Sequence, residues 1–93
     1  MPFRYDFSDG LEEVLARLVK KDRVRYESIL KKVEEIAAQD ENSIEHYKNL
    51  QHDLSDYKRV HIARNFVLLF KVFKKEKFIL FDKFDHHNNI YKR

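Results

Sequence analysis

The stretch "YKRVHIARNFVLLFKVFKKEKFILFDKF" (residues 57–84) decides the fold. It divides into three runs rich in Val, Ile, Leu and Phe, residues 57–63, 65–73 and 77–84. Connections this short permit only antiparallel hairpins, so the runs form a three-stranded meander. The middle run is apolar on both faces and belongs in the sheet interior. In the first run, alternation sends Tyr57, Arg59 and His61 to one side and Lys58, Val60 and Ile62 to the other. A phenol, a guanidinium and an imidazole therefore share a surface.

Upstream, Phe3, Tyr5 and Phe7 alternate with Arg4 and Asp6 across residues 2–7, the pattern of an edge strand. Asp9 with Glu12 resembles a capping box, and Leu11, Val14, Leu15, Leu18 and Val19 then recur at helical spacing. After a tight "KKD" connection, Tyr26, Ile29, Leu30, Val33, Ile36 and Ala37 repeat that spacing to about Ala38. Two amphipathic helices joined so closely form an antiparallel hairpin. Residues 39–56 are polar, anchored by Ile44, Tyr47, Leu50 and Leu54, and predict a loop with one helical turn after Ser43. The expected class is α+β: an N-terminal edge strand, a helical hairpin, and a meander packed on the helices with its other face partly free.

At 93 residues the chain is expected to be a single domain spanning 1–93, with room for one core. Gly and Pro occur once each, which leaves little place for linkers, and no repeat or low-complexity tract is present. Cysteine is absent, which removes disulfides and thiolate metal sites and fits a reducing compartment. No signal pattern opens the sequence, and the longest apolar run, "FVLLF" with "VF" beyond Lys71, falls far below the ~20 residues of a membrane span. A soluble, cytoplasmic protein is expected.

The formal net charge of +3 conceals an asymmetry. Residues 1–56 carry 9 Lys+Arg against 13 Asp+Glu, and residues 57–93 carry 10 against 3. Cations interleaved with aromatics in a basic half are the footprint of a polyanion partner. Lys71, Lys74, Lys75 and Lys77 at the last hairpin are more simply solvated edge charges. Lys58, Arg59, Arg64 and Lys83 lie near the histidines in sequence and are the better candidates for phosphate contacts.

The order of elements, together with "YKRVHIARNFVLLFKVFKKEKFILF" and the terminal "KFDHHNNIY", resembles the RelE/ParE superfamily of toxin–antitoxin toxins. The match is closest to its YafQ-like mRNA interferase branch. Tyr57, His61, Asn65, Lys83, His87 and Tyr91 occupy that branch's spaced positions over residues 57–91. Two of them depart from its pattern. Asn65 stands where an acidic residue is usual and cannot act as a base, and Lys83 stands where arginine is usual, keeping charge but losing bidentate geometry. The branch's further upstream histidine falls on Lys48, with His46 and His52 flanking it.

The resemblance implies a RelE-like microbial ribonuclease fold and a ribosome-dependent mRNA endonuclease. It also implies a cognate acidic antitoxin that neutralises the toxin in a hetero-oligomer. No cofactor or metal is implied. Metal-free RNA cleavage needs a base for the 2′-hydroxyl, positive charge for the transition state and an acid for the 5′-oxygen, and histidine serves either proton role near neutrality. His87 is expected as general acid with Lys83 beside it. Lys83 supplies transition-state charge, His61 orients the phosphate or acts as base, and Arg59, counted with this catalytic set, contacts a backbone phosphate. Arg64, Lys58, Lys48 and Asn65 contact RNA, while Tyr91 stacks on a base. His86 is a bystander, because adjacent side chains diverge.

Two rival readings share the fold: a ParE-like toxin that inhibits DNA gyrase, and a non-catalytic member that only binds RNA or protein. Both leave the His61, Lys83, His87 and Tyr91 set without a purpose. Each residue also has a plainer reading, His61 as a structural strand residue and Tyr91 as a terminal side chain docked on the core.

Overall fold

The run that is apolar on both faces forms β3 (Phe66–Phe73), held between β2 (Lys58–Ile62) and β4 (Phe78–His86). The computed structural model describes residues 2–51 and 54–91, with the backbone alone at Tyr91. Both β2 and β4 run antiparallel to β3, as expected of a meander. β1 (Arg4–Phe7) pairs parallel with β4, giving the sheet order β1-β4-β3-β2. The parallel pairing follows from the helical hairpin, which carries the chain across the sheet between β1 and the meander.

α1 (Asp9–Lys21) starts at the residue expected to be its cap. Ser8, not Asp9, is the N-cap, its hydroxyl accepting the Leu11 N–H at 3.1 Å and donating to the Asp82 carbonyl at 2.7 Å. Asp9 and Glu12 then complement the dipole from the first turn. The connection to α2 (Arg23–Ala37) shrinks to Asp22, which caps the end of α1 and accepts the Arg25 N–H at the start of α2. Lys20 and Lys21 belong to the last turn of α1, where cations are favourable. The expected turn after Ser43 is a 3₁₀ turn (Ser43–His46) that buries Ile44.

Leu11, Leu15, Ile29, Val33 and Ile36 from the helices pack on Ile62, Leu68, Phe70, Ile79 and Phe81 from the sheet. Phe70 and Phe81 are fully buried with ring centroids 5.6 Å apart, and truncating either to alanine would cost about 3–5 kcal/mol. The sheet's other face carries a second, smaller cluster of Leu50, Val67 and Leu69, joined by Leu54, Tyr57 and Ile90. This departs from the single core expected. A strand that is apolar on both faces needs cover on both, and the loop after Lys48 and the terminal α3 (His87–Tyr91) supply it.

The loop also covers part of the β2 edge. Arg59 N–H donates to the Lys48 carbonyl at 3.0 Å, and Leu50 N–H donates to the Tyr57 carbonyl at 2.9 Å.

Candidate active site

The open face of the sheet takes its composition from an irregularity in β4. Leu69 pairs with Lys83 and Phe70 with Phe81, so Asp82 is an extra residue, a β-bulge. Before it, Ile79 and Phe81 face the helices. After it, Phe84 does, so Lys83 and Asp85 turn to the opposite face. His61 lies opposite Val67, which lies opposite Asp85, and Arg59 lies opposite Leu69, which lies opposite Lys83. Arg59 and Lys83 therefore flank Leu69 with backbones about 10 Å apart, two strand spacings.

β4 runs to His86, two residues past its expected end, and His87 opens α3. His86 turns toward the helix side, edge-on to Phe66 at 5.4 Å between centroids. Its neighbour faces the other way: the His87 ring stacks on that of His61, centroids 5.8 Å apart and planes 24° apart. His87 N–H donates to the Asn65 carbonyl at 2.7 Å, so the β2–β3 turn holds the start of α3. Asn65 thus acts through its main chain. In the same turn Ala63 sits in the left-handed region at φ 59°, which costs an alanine roughly 1–2 kcal/mol.

The cations divide into committed and uncommitted. Lys58 has to be removed from the RNA-contacting set. It is 6% exposed, and its ammonium donates to the Tyr47 carbonyl at 3.0 Å, Asn49 Oδ1 at 2.9 Å and Glu45 Oε1 at 3.4 Å. Alternation placed it on the helix side, where an ammonium persists only if its donors are satisfied. Lys71 lies over the Tyr57 ring at 4.8 Å. Arg59, Arg64 and Lys83 make no side-chain hydrogen bond or ion pair among the described residues, and Arg64 and Lys83 are exposed. Lys48 is exposed in the loop beside Arg59, and His46 is exposed at the end of the 3₁₀ turn. His52 and the Tyr91 side chain lie outside the described residues.

One pair on this face went unnoticed in the sequence. Tyr57 Oη donates to Asp82 Oδ2 at 2.6 Å. That bond, with burial and the negative charges of Asp82 and Asp56, pushes the Tyr57 phenol up to about 12. Tyr57 stays protonated at neutral pH and cannot serve as the base. The sequence does not display the bulge: residues 78–81 are all apolar, so the three-residue step from the inward Phe81 to the inward Phe84 stands out only once the buried side of the strand is known. The face can thus offer two adjacent imidazoles for proton transfer, two uncommitted cations for a phosphate, and a phenol engaged elsewhere.

No family model matches the chain. Among curated proteins, it is 44% identical over 91 residues to "Putative toxin RelE4" of Methanocaldococcus jannaschii, covering 98% of this chain and 93% of that protein. An uncharacterized protein of Methanosarcina mazei is 37% identical over 81 residues, covering 87% of this chain and 90% of that one. Among solved structures, the toxin–antitoxin complex RelBE2 of Mycobacterium tuberculosis superposes with a TM-score of 0.63 at 19% identity, covering 92% of this chain and 99% of that one. A conserved hypothetical protein of Helicobacter pylori gives a TM-score of 0.58 at 18% identity, covering 96% and 99%. At those identities the structural likeness is one of fold. No helix among the described residues is long and apolar enough to cross a membrane.

Proposed function

This chain belongs to the RelE family of toxins, and from that footing we propose that it is the toxin of a type II toxin–antitoxin module that cuts messenger RNA on the ribosome. The observation that carries the reading is the stacked His61–His87 pair on the same face as the uncommitted Arg59 and Lys83. One imidazole takes the proton of the RNA 2′-hydroxyl, which attacks the adjacent phosphorus. The other returns a proton to the departing 5′-oxygen. His87 is assigned as the acid and His61 as the base. Arg59 and Lys83 sit on either side of the phosphate and stabilise the charge that develops on its non-bridging oxygens. Arg64 and Lys48, both exposed, extend the contacts to neighbouring phosphates, and Tyr91 stacks on a base.

The chain carries no acidic residue at the acidic position of the resembled pattern, where Asn65 stands. The cleavage proposed here does not require one, because His61 takes the role of base, and Asn65 contributes its carbonyl bond to His87. A site without a strongly activated base gains most from external positioning of its substrate, in keeping with a ribosome-bound substrate. The neutralising partner is an acidic antitoxin whose disordered segment folds over this basic face.

The test is primer extension on a defined mRNA in a reconstituted translation mixture, with wild type, His87→Ala and a ribosome-free control side by side. Codon-phased cuts that vanish with the variant and without ribosomes support the reading. A folded wild type that makes no cuts overturns it, and gyrase supercoiling is then the next assay.

A further inference from the structure

The bulge at Asp82 has a chemical consequence for the residue beside it. Successive residues in a regular strand point to opposite faces, but at a bulge two neighbours open toward the same one. Asp82 reaches Tyr57, and Lys83 lies opposite Leu69, so a carboxylate and an ammonium one residue apart both project from the open face. Such neighbours would ordinarily neutralise each other. Here they make no ion pair among the described residues, and the Asp82 carboxylate is instead turned to the Tyr57 phenol at 2.6 Å. Asp82 is also fixed from behind, its carbonyl accepting the Ser8 hydroxyl at 2.7 Å. Lys71 over the Tyr57 ring favours the same arrangement, adding positive charge beside the phenol–carboxylate pair.

We propose that Tyr57 and Asp82 are positioning residues: the phenol holds the Asp82 carboxylate away from Lys83 and so keeps the Lys83 ammonium available to a phosphate of the RNA. The inference rests on the RNA-cutting reading for its purpose but not for its geometry. The elevated Tyr57 ionisation fits the arrangement, since a phenol bonded to a carboxylate keeps its proton across the neutral range. Loss of the phenol oxygen releases the carboxylate beside Lys83, an adjacent cation that has no other ion pair among the described residues.

The experiment compares wild type, Tyr57→Phe, Asp82→Asn and the double variant, each checked for folding by circular dichroism. The first readout is the NMR signal of the Lys83 side chain, followed without any ligand. It is expected to shift in Tyr57→Phe as Lys83 pairs with Asp82, and to return toward the wild-type position in the double variant, where a neutral amide replaces the carboxylate. The second readout is binding of a 2′-deoxy-substituted, uncleavable RNA as a function of salt. Tyr57→Phe should lower the slope of log K against log salt by about 0.7, the loss of one phosphate contact on a single strand, and the double variant should restore it.

A purely structural role for Tyr57 predicts that the double variant is no better than Tyr57→Phe, and that result overturns the proposal. So does an unmoved Lys83 signal in a folded Tyr57→Phe. If the wild type binds no free RNA, the Lys83 signals alone support or overturn the shielding of the ammonium, and primer extension on ribosomes decides the RNA-cutting reading separately. Asp82→Asn guards against misfolding of the phenylalanine variant: it removes the competing charge directly and is expected to bind RNA at least as tightly as wild type.

Discussion

The imidazole rings of His61 and His87 stack at 5.8 Å between centroids although they come from different elements, one in β2 and one at the start of α3. A main-chain bond helps to join them, His87 N–H to the Asn65 carbonyl, which docks the end of β4 onto the β2–β3 turn. Groups that divide one proton-transfer task fail together. His61→Ala and His87→Ala are each expected to lower the rate of mRNA cleavage by about 10²–10⁴-fold, and the double variant by no more than the worse single one. Single-turnover cleavage on programmed ribosomes measures this.

Arg59 and Lys83 should behave as phosphate ligands and Lys58 should not. Replacing Arg59 or Lys83 by methionine is expected to slow cleavage by about 10²-fold or more, because each removes charge aimed at the transition state. Lys83→Arg should retain activity, its planar fork supplying two donors where the lysine supplies a point charge. An inactive Lys83→Arg in a folded protein would count against a direct phosphate contact.

The buried Lys58 yields the opposite pattern. Lys58→Ala leaves the Tyr47 carbonyl and Asn49 Oδ1 without their donor and is expected to destabilise the protein by about 3 kcal/mol in urea unfolding. Its effect on the salt dependence of RNA binding should be nil. A fall in that slope would return Lys58 to the RNA-contacting set.

Ala63 at φ 59° offers a gain in stability. Ala63→Gly relieves the left-handed strain and should stabilise the fold by about 1 kcal/mol, less the entropy that glycine adds to the unfolded chain. Ala63→Val, branched at Cβ, should destabilise it and shift the His87 amide resonance, since the same turn supplies the Asn65 carbonyl.

The Tyr57 phenol gives stability an alkaline dependence with a fixed sign. Its folded value of about 12 lies above the ordinary 10, so the folded chain holds that proton more tightly than the unfolded one. The contribution is complete below pH 10 and is lost as the pH rises from 10 to 12. Tyr57→Phe should be less stable at neutral pH and should lose less on going to pH 12, as read from denaturation midpoints at the two pH values.

The sequence alone determined the elements and much of the surface. Periods of 3.6 and 2 are local properties of a chain, so two helices, three meander strands and an edge strand were legible, as was the shared face of Tyr57, Arg59 and His61. The same alternation already set Lys58 on the helix side, but whether a buried ammonium finds acceptors depends on where the loop carrying Glu45, Tyr47 and Asn49 comes to rest. The parallel pairing of β1 with β4 was hidden for a similar reason, since pairing between distant segments is set by what the helices must cover. Only the tertiary structure decided the site. The bulge at Asp82 resets which residues of β4 face outward, and the Asn65–His87 bond closes the gap between two imidazoles 26 residues apart. Both depend on contacts between segments whose separation in the chain carries no periodic signal.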